Sequence, residues 1–261
     1  MADEFPESFS QTFQVRYDEC GAGAAVRASV HLRWFQEIAF GHSAALGFPL
    51  SWYEAHRLFW VVRRVHLIVH APVRYGETLV CTTRVAGARR ILSRRLSDAR
   101  RRGGAPVATC VTDWVFTADG TAAVRIADEL ATAFPAMRRA MAPLPLAEPP
   151  APAHPRASVR PRLSDLDAMG HVNHPTYVDL LDDAVARAGG GEATAAHPRT
   201  YDLLHHAGAA AHDELRDVAW PAADAWHYRL ERADGRRLLH GRLAPGERPP
   251  GVEASGPHPD G

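Results

Sequence analysis

The sequence predicts an α+β protein in which a long helix is wrapped by a largely antiparallel sheet, and it predicts this arrangement twice. Three observations lead there. The elements run strand, long helix, then four or five successive strands, which is not the strand–helix alternation of a doubly wound sheet. The same order returns after a proline-rich stretch. Finally, the second helix is entered through a turn crowded with polar groups, in the segment from Arg162 to Ala188.

Residues 10–18 alternate enough for a first strand, whose Tyr17-Asp18-Glu19-Cys20 end runs into a Gly/Ala turn. Leu32 to Leu46 reads as a helix, because Leu32, Phe35, Ala39 and His42 return on one face and Gly47 offers a stop. A period of two then takes over, predicting strands over 57–71, 76–87, 90–100 and 106–117, with turns at 101–104 and at Asp119-Gly120 before a last run over 122–127. This first unit occupies residues 1–134. Residues 135–157 hold seven of the chain's 20 prolines, a density that rules out a continuous helix or an interior strand and predicts a partly stiff linker.

The second unit, 158–243, is expected to begin with a short strand over 157–163 and a helix ending near Ala188. A loose segment over 188–198 follows, then strands over 201–208, 213–220, 225–235 and 236–243. The remainder, 244–261, is Pro/Gly-rich and reads as a flexible tail. The two units align at an offset of about 146 residues, with Val26 on Val172, His31 on Tyr177, Phe35 on Leu181 and Glu37 on Asp183. A shorter offset then sets Tyr75–Leu79 on Ala211–Leu215.

Asp167, His171 and Asn173 crowd into the turn before the second helix, whose buried face is marked by Val178, Leu181 and Val185. A carboxylate and an imidazole thus lie near the positive end of a helix, where backbone N–H groups polarise an oxygen. Taken as residue types alone, Asp and Asn also serve as ordinary turn and cap groups. In the first unit Gly21 stands opposite Asp167 and Ala25 opposite His171, so only the second unit has both polar groups. Asp18 and Glu19 lie nearby but out of phase, and read as turn residues.

The segment Asp167, Gly170-His171-Val172-Asn173, Tyr177 resembles the signature of hotdog-fold thioesterases. Among these it is most similar to the acyl-ACP thioesterases, built of two fused hotdog domains, whose pattern is Asp-x-Asn-x-His-Val-Asn-Asn. Met169 stands in place of the first Asn of that pattern, and His174 in place of the last. The stretch Trp34–Phe48 and the strands after it also resemble that family, so the resemblance spans roughly residues 10–243. It implies two tandem hotdog domains paired as an intramolecular pseudo-dimer, and leaves open a further homodimer of whole chains.

The implied activity is hydrolysis of an acyl thioester carried on acyl carrier protein or coenzyme A, with no cofactor. Asp167 supplies a nucleophile or a general base, His171 orients the thioester or water, and Asn173 positions. Gly170, His171 and Val172 offer backbone amides to the oxyanion. Trp34, Phe35, Phe40, Trp52, Phe59, Trp60, Met169 and Tyr177 are candidates for the acyl pocket, although aromatic residues are core residues first. Relatives also place a Glu-Cys pair on a later strand where this chain has Ala209-Ala210. With that pair absent, a non-catalytic acyl-binding or interaction protein of the same fold is the alternative.

Other classes find little support. Thirty basic and thirty acidic residues leave no net field, which argues against nucleic acid or an anionic membrane as partner. No apolar run approaches a membrane span. The acidic N-terminus predicts neither a signal nor a transit peptide, and Cys20, Cys81 and Cys110 suit a reducing cytoplasm. His171 and His174 with His205 and His206 carry no metal-ligand spacing, and no Gly-rich phosphate loop or nucleophile elbow occurs.

Overall fold

The computed structural model describes residues 7–144, 146–148 and 157–249. Its first half comprises β1 (Ser8–Gln14), α1 (Ala28–Ala45), α2 (Leu50–His56), β2 (Leu58–Val69), β3 (Thr78–Arg89), β4 (Leu92–Arg101), β5 (Pro106–Ala118), β6 (Ala122–Ala123) and α3 (Asp128–Ala133). The second comprises β7 (Ala157–Val159), α4 (Thr176–Arg187), α5 (Gly191–Ala195), β8 (Arg199–His205), β9 (Leu215–Ala222), β10 (Ala225–Arg232) and β11 (Arg237–Pro245). Ten strands form one antiparallel sheet in the order β1-β3-β4-β5-β2-β8-β11-β10-β9-β7, and β6 pairs with β5. Read from either end, the order is the same. The halves join where β2 pairs with β8, and the sheet does not close into a barrel.

Each helix lies in the curve of its own half. Alternation in β3 sends Leu79, Cys81, Thr83 and Val85 inward, where α1 packs with Leu32, Phe35 and Ile38. In the second half Val178, Leu181 and Val185 of α4 are completely buried against β9 and β10. Burial of each such side chain contributes about 1.5–3 kcal/mol.

Local chemistry explains where the elements depart from their expected bounds. The first strand stops at Gln14 because Tyr17–Glu19 form a 3-10 turn, held by the Arg16 amide donating to Glu19 Oε2 at 2.8 Å. Helix α1 starts at Ala28 rather than Leu32, with Ser29, Val30 and His31 all buried. The segment expected to be loose after α4 contains the one-turn helix α5, where Thr194 Oγ1 bonds Gly191 O at 2.8 Å. Within the linker, Pro135–Arg138 form a 3-10 turn and Met137 is buried in a second core with Leu130 and Phe134. Residue 145 and residues 149–156 of that stretch lie outside the described residues. Of the expected tail, Gly246 and Arg248 bond the strand bearing Thr200, and residues 250–261 lie outside the described residues.

The repeat extends to individual hydrogen bonds. Gly21 N–H bonds Ala25 O at 2.8 Å, and Asp167 N–H bonds His171 O at 2.8 Å. Val26 N–H bonds Val73 O, and Val172 N–H bonds Ala209 O, each at 2.8 Å. The two turns are therefore closed by the same backbone bonds, although left-handed backbone falls at Gly23 and Ala24 in the first half and at Gly170 alone in the second.

Candidate active site

The 3-10 turn Leu163–Asp165 and the loop to Pro175 build the entrance to α4. Asp165 is held below its usual range: burial alone would raise it, but hydrogen bonds from the Arg162 side chain and amide outweigh that. Its carbonyl accepts the Asn173 amide at 2.8 Å, fixing the far side of the loop. Within the loop Asp167 Oδ1 accepts the amides of Met169 (2.9 Å) and His171 (3.1 Å). Asp167 Oδ2 has no partner among the described residues, so the carboxylate supports the turn with one oxygen and leaves the other free.

This arrangement corrects the expected oxyanion donors. Gly170 N–H bonds Asp167 O at 3.0 Å, His171 N–H bonds Asp167 Oδ1, and Val172 N–H bonds Ala209 O. All three amides are consumed in forming the turn. The first amide after them with no acceptor among the described residues belongs to His174, just ahead of α4. Gly170 has φ +76°, with open space where a Cβ would stand. What the turn requires of it is left-handed backbone.

Several groups surround the turn. Tyr177 is buried on α4, and its hydroxyl accepts the Ala209 amide at 3.0 Å. Burial lifts its pKa to about 12, and the nearby charges of Asp167 and Asp213 act in the same direction. Tyr177 also meets His205 edge to face at 5.0 Å between ring centroids. Burial lowers His205 to about 3 and drives His174 well below its usual range, so both imidazoles are neutral near pH 7. His205 is not marked by motif spacing, and His174 enters only as a departure from a motif; neither role is readable from the chain alone.

The first half closes over this turn. At Gly120, in the turn between β5 and β6, an added Cβ would meet His171 Cε1 at 3.6 Å, and φ is +69°. A few residues back on β5, the Trp114 ring stands edge-on to His174 at 5.6 Å. Trp114 also lines a cleft of about 440 Å³, open solvent at its mouth included, walled by the first half and the start of the linker. Helix α1 gives the cleft Ala39, Phe40 and Ser43, and α2 gives Tyr53. Strands supply Trp60, Ser93 and Arg95, while Phe134 and Met137 close the end.

Of the candidate pocket residues, Phe40 and Trp60 line this cleft. Trp34 and Phe35 are in the core, where Trp34 Nε1 donates to Glu19 Oε1 at 3.1 Å. Trp52 stacks on His56 at 4.2 Å, and Phe59 on β2 is half-buried. Met169 and Tyr177 remain with the turn. Among the described residues no cluster of three or more His, Cys, Asp or Glu is disposed to hold a metal ion. No helix among them is long and apolar enough to cross a membrane.

Comparison with known proteins agrees with this geometry. Residues 6–134 match the family model described as the acyl-ACP thioesterase N-terminal domain. The chain is 24% identical over 201 residues to oleoyl-acyl carrier protein thioesterase 1, chloroplastic, of Arabidopsis thaliana, covering 68% of this chain and 55% of the relative. The second Arabidopsis oleoyl-acyl carrier protein thioesterase is 26% identical over 209 residues, covering 71% and 55%. The chain thus spans about half the length of these curated relatives. In fold it is similar to an acyl-ACP thioesterase of Bacteroides thetaiotaomicron, with TM-score 0.74 and 15% identity over 91% of this chain and 97% of that one. The 12:0-ACP thioesterase of Umbellularia californica gives TM-score 0.75 and 20% identity over 92% and 97%. Residues 6–134 thus match the acyl-ACP thioesterase N-terminal domain, and with its two helices and doubled strand order the whole chain has the tandem hotdog fold of these acyl-ACP thioesterases.

Proposed function

We propose that the chain hydrolyses an acyl thioester at the turn before α4, with the acyl group held in the cleft of the first half. The observation that carries this reading is the contact between Trp114, which lines the cleft, and His174, which opens α4. Only this turn is equipped for the chemistry, since the equivalent turn of the first half presents Gly21 and Ala25.

In this reading Asp167 Oδ2 takes a proton from water as the water oxygen attacks the thioester carbon, or attacks that carbon itself. Negative charge developing on the carbonyl oxygen meets the His174 N–H. The C–S bond then breaks, and the sulfur leaves as thiolate and takes up a proton; the acyl group departs as a carboxylic acid, directly when water attacked, or after water hydrolyses the acyl anhydride on Asp167 when the carboxylate attacked. His171 orients the thioester or the water beneath the Gly120 turn, and Asn173 keeps a positioning role. Ala209-Ala210 lie directly against Val172 and His171, so the polar pair expected of relatives is missing at the site itself. Asp167 then works without a second carboxylate at that place.

We favour acyl carrier protein over coenzyme A as carrier, on the family match and the names of the curated relatives. The cytoplasm is the favoured location, given three free cysteines. The test is thiol release from matched acyl-ACP and acyl-CoA substrates. Faster turnover of acyl-CoA would reverse the choice of carrier. No turnover of either, with acyl ligands still bound, would favour the non-catalytic acyl-binding reading.

A further inference from the structure

We propose that the cleft selects acyl groups ending in a carboxylate, anchored by Arg95, so that the preferred substrates are half-thioesters of dicarboxylic acids rather than methyl-ended chains. This rests on the thioester reading above and adds to it the chemistry of the acyl group.

The argument begins with β4. Alternation turns Ser93, Arg95, Ser97 and Ala99 toward α1, and Arg94 toward the other face. Arg94 is paired in the ordinary way, with Asp113 oxygens at 2.6 and 2.8 Å. Arg64, still more deeply buried, has Asp202 at 3.0 Å. Arg95 differs from both: among the described residues no carboxylate lies within 4.0 Å of it. Its neighbours are His42 Nδ1 at 3.2 Å and the Phe134 ring, 5.5 Å from the guanidinium carbon. An imidazole nitrogen that accepts from the guanidinium and a ring face carry no negative charge, so no described residue balances the positive charge. Burial pulls the Arg95 pKa down to about 10, which leaves it a cation at neutral pH.

An enclosed cation without a counter-ion is costly to a fold, and a plain acyl chain would leave it so. Arg95 nevertheless lines the cleft and is not fully covered, so its fork is open to whatever enters. Other donors stand in the same cleft. Trp114 Nε1 is buried without an acceptor, and the Ser93 hydroxyl contributes to the wall. A carboxylate offers two oxygens to such a set, and its match to guanidinium is bidentate.

Register places the anchor. Ser93 pairs across the ladder with Trp114, and Arg95 with Thr112. Arg95 is therefore two residues, about 7 Å along the strand, from the row that touches His174. The thioester belongs at the His174 end and the carboxylate deeper, beside Phe134.

The full chain is assayed for thiol release on matched pairs, hexanoyl- against adipoyl-CoA and octanoyl- against suberoyl-CoA, with Arg95→Met and Arg95→Lys alongside. A charge-assisted anchor should favour the carboxylate-ended member by roughly 10- to 100-fold in kcat/KM. Arg95→Met should erase or invert that preference, read as the ratio of kcat/KM within each pair, and Arg95→Lys should fall between. Faster turnover of the methyl-ended member by the wild type, or a ratio unmoved in a folded Arg95→Met, would overturn the proposal. If Arg95→Met fails to fold, the wild-type ratio decides alone. If no thioester is hydrolysed, titration with free adipate and hexanoate separates the two readings. Adipate binding that is stronger than hexanoate binding keeps the anchor while hydrolysis fails, and equal or absent binding removes the anchor as well.

Discussion

Arg33 on α1 and Asp179 on α4 occupy equivalent positions, 146 residues apart, and meet each other with Nη2 and Oδ2 at 3.4 Å. The same holds in the sheet, where His66 and Asp202, 136 residues apart, face each other in the β2–β8 ladder with Nδ1 and Oδ1 at 2.8 Å. Two identical chains meeting about a twofold axis would set arginine against arginine and aspartate against aspartate at such places. In a single chain the two copies differ, and each pair has become complementary.

Reversing Arg33 tests the helix pair. Arg33→Asp brings two carboxylates together and should lower stability by about 1 kcal/mol, the scale of a partly exposed pair. Adding Asp179→Arg should restore most of that loss. Urea denaturation of the two single variants and the double variant measures the coupling, and strictly additive losses would deny that the residues interact.

The strand pair is buried and should matter more. Asp202 sits among His66, Arg64 and Arg242, and its pKa is lowered because hydrogen bonding and opposite charges outweigh burial. Asp202→Asn leaves Arg64 enclosed without a counter-charge and should cost about 3–5 kcal/mol. A carboxyl lowered by folding stabilises above its unfolded value near 3.8, and that contribution is lost as pH falls through the folded value. Melting of the wild type should therefore deteriorate below about pH 4 more steeply than melting of the variant.

Asp182 should behave in the opposite sense. Burial raises its pKa to about 7, although the Tyr201 hydroxyl donates to it at 2.8 Å. Between the unfolded value near 3.8 and about 7 the native state holds the extra proton, so stability falls as pH rises through that window. The equivalent residue of the first half is uncharged Gln36. Asp182→Asn should flatten the profile and gain up to about 3 kcal/mol at pH 8. Identical pH profiles for variant and wild type would rule out the buried acid as its source.

The proposed hydrolysis turns on Asp167. Asn keeps an oxygen for the amides of Met169 and His171, so Asp167→Asn should preserve the turn and the melting temperature. It removes the base or nucleophile, and kcat should fall by roughly 10²–10⁴. His171→Ala should cost less, as expected of an orienting group. A folded Asp167→Asn with wild-type turnover would displace the centre from this turn.

Much of this was legible in the chain because it depends on local period and spacing. Alternation marks β2 to β5, the return of Val178, Leu181 and Val185 marks α4, and the offsets of 146 and 136 reappear in paired hydrogen bonds. The loss of polar groups at Gly21 and Ala25 was equally readable, since equivalent backbone positions can be compared residue by residue. Tertiary structure decided what depends on partners distant in sequence. Whether an amide is free depends on which carbonyl folds against it, and Ala209 takes the Val172 amide from 37 residues away. Whether an arginine is paired depends on the face it occupies: Arg94 and Arg95 are chain neighbours, yet one meets Asp113 and the other an open cleft. The contact of Trp114 with His174 spans the two halves, and no periodicity within either half encodes it.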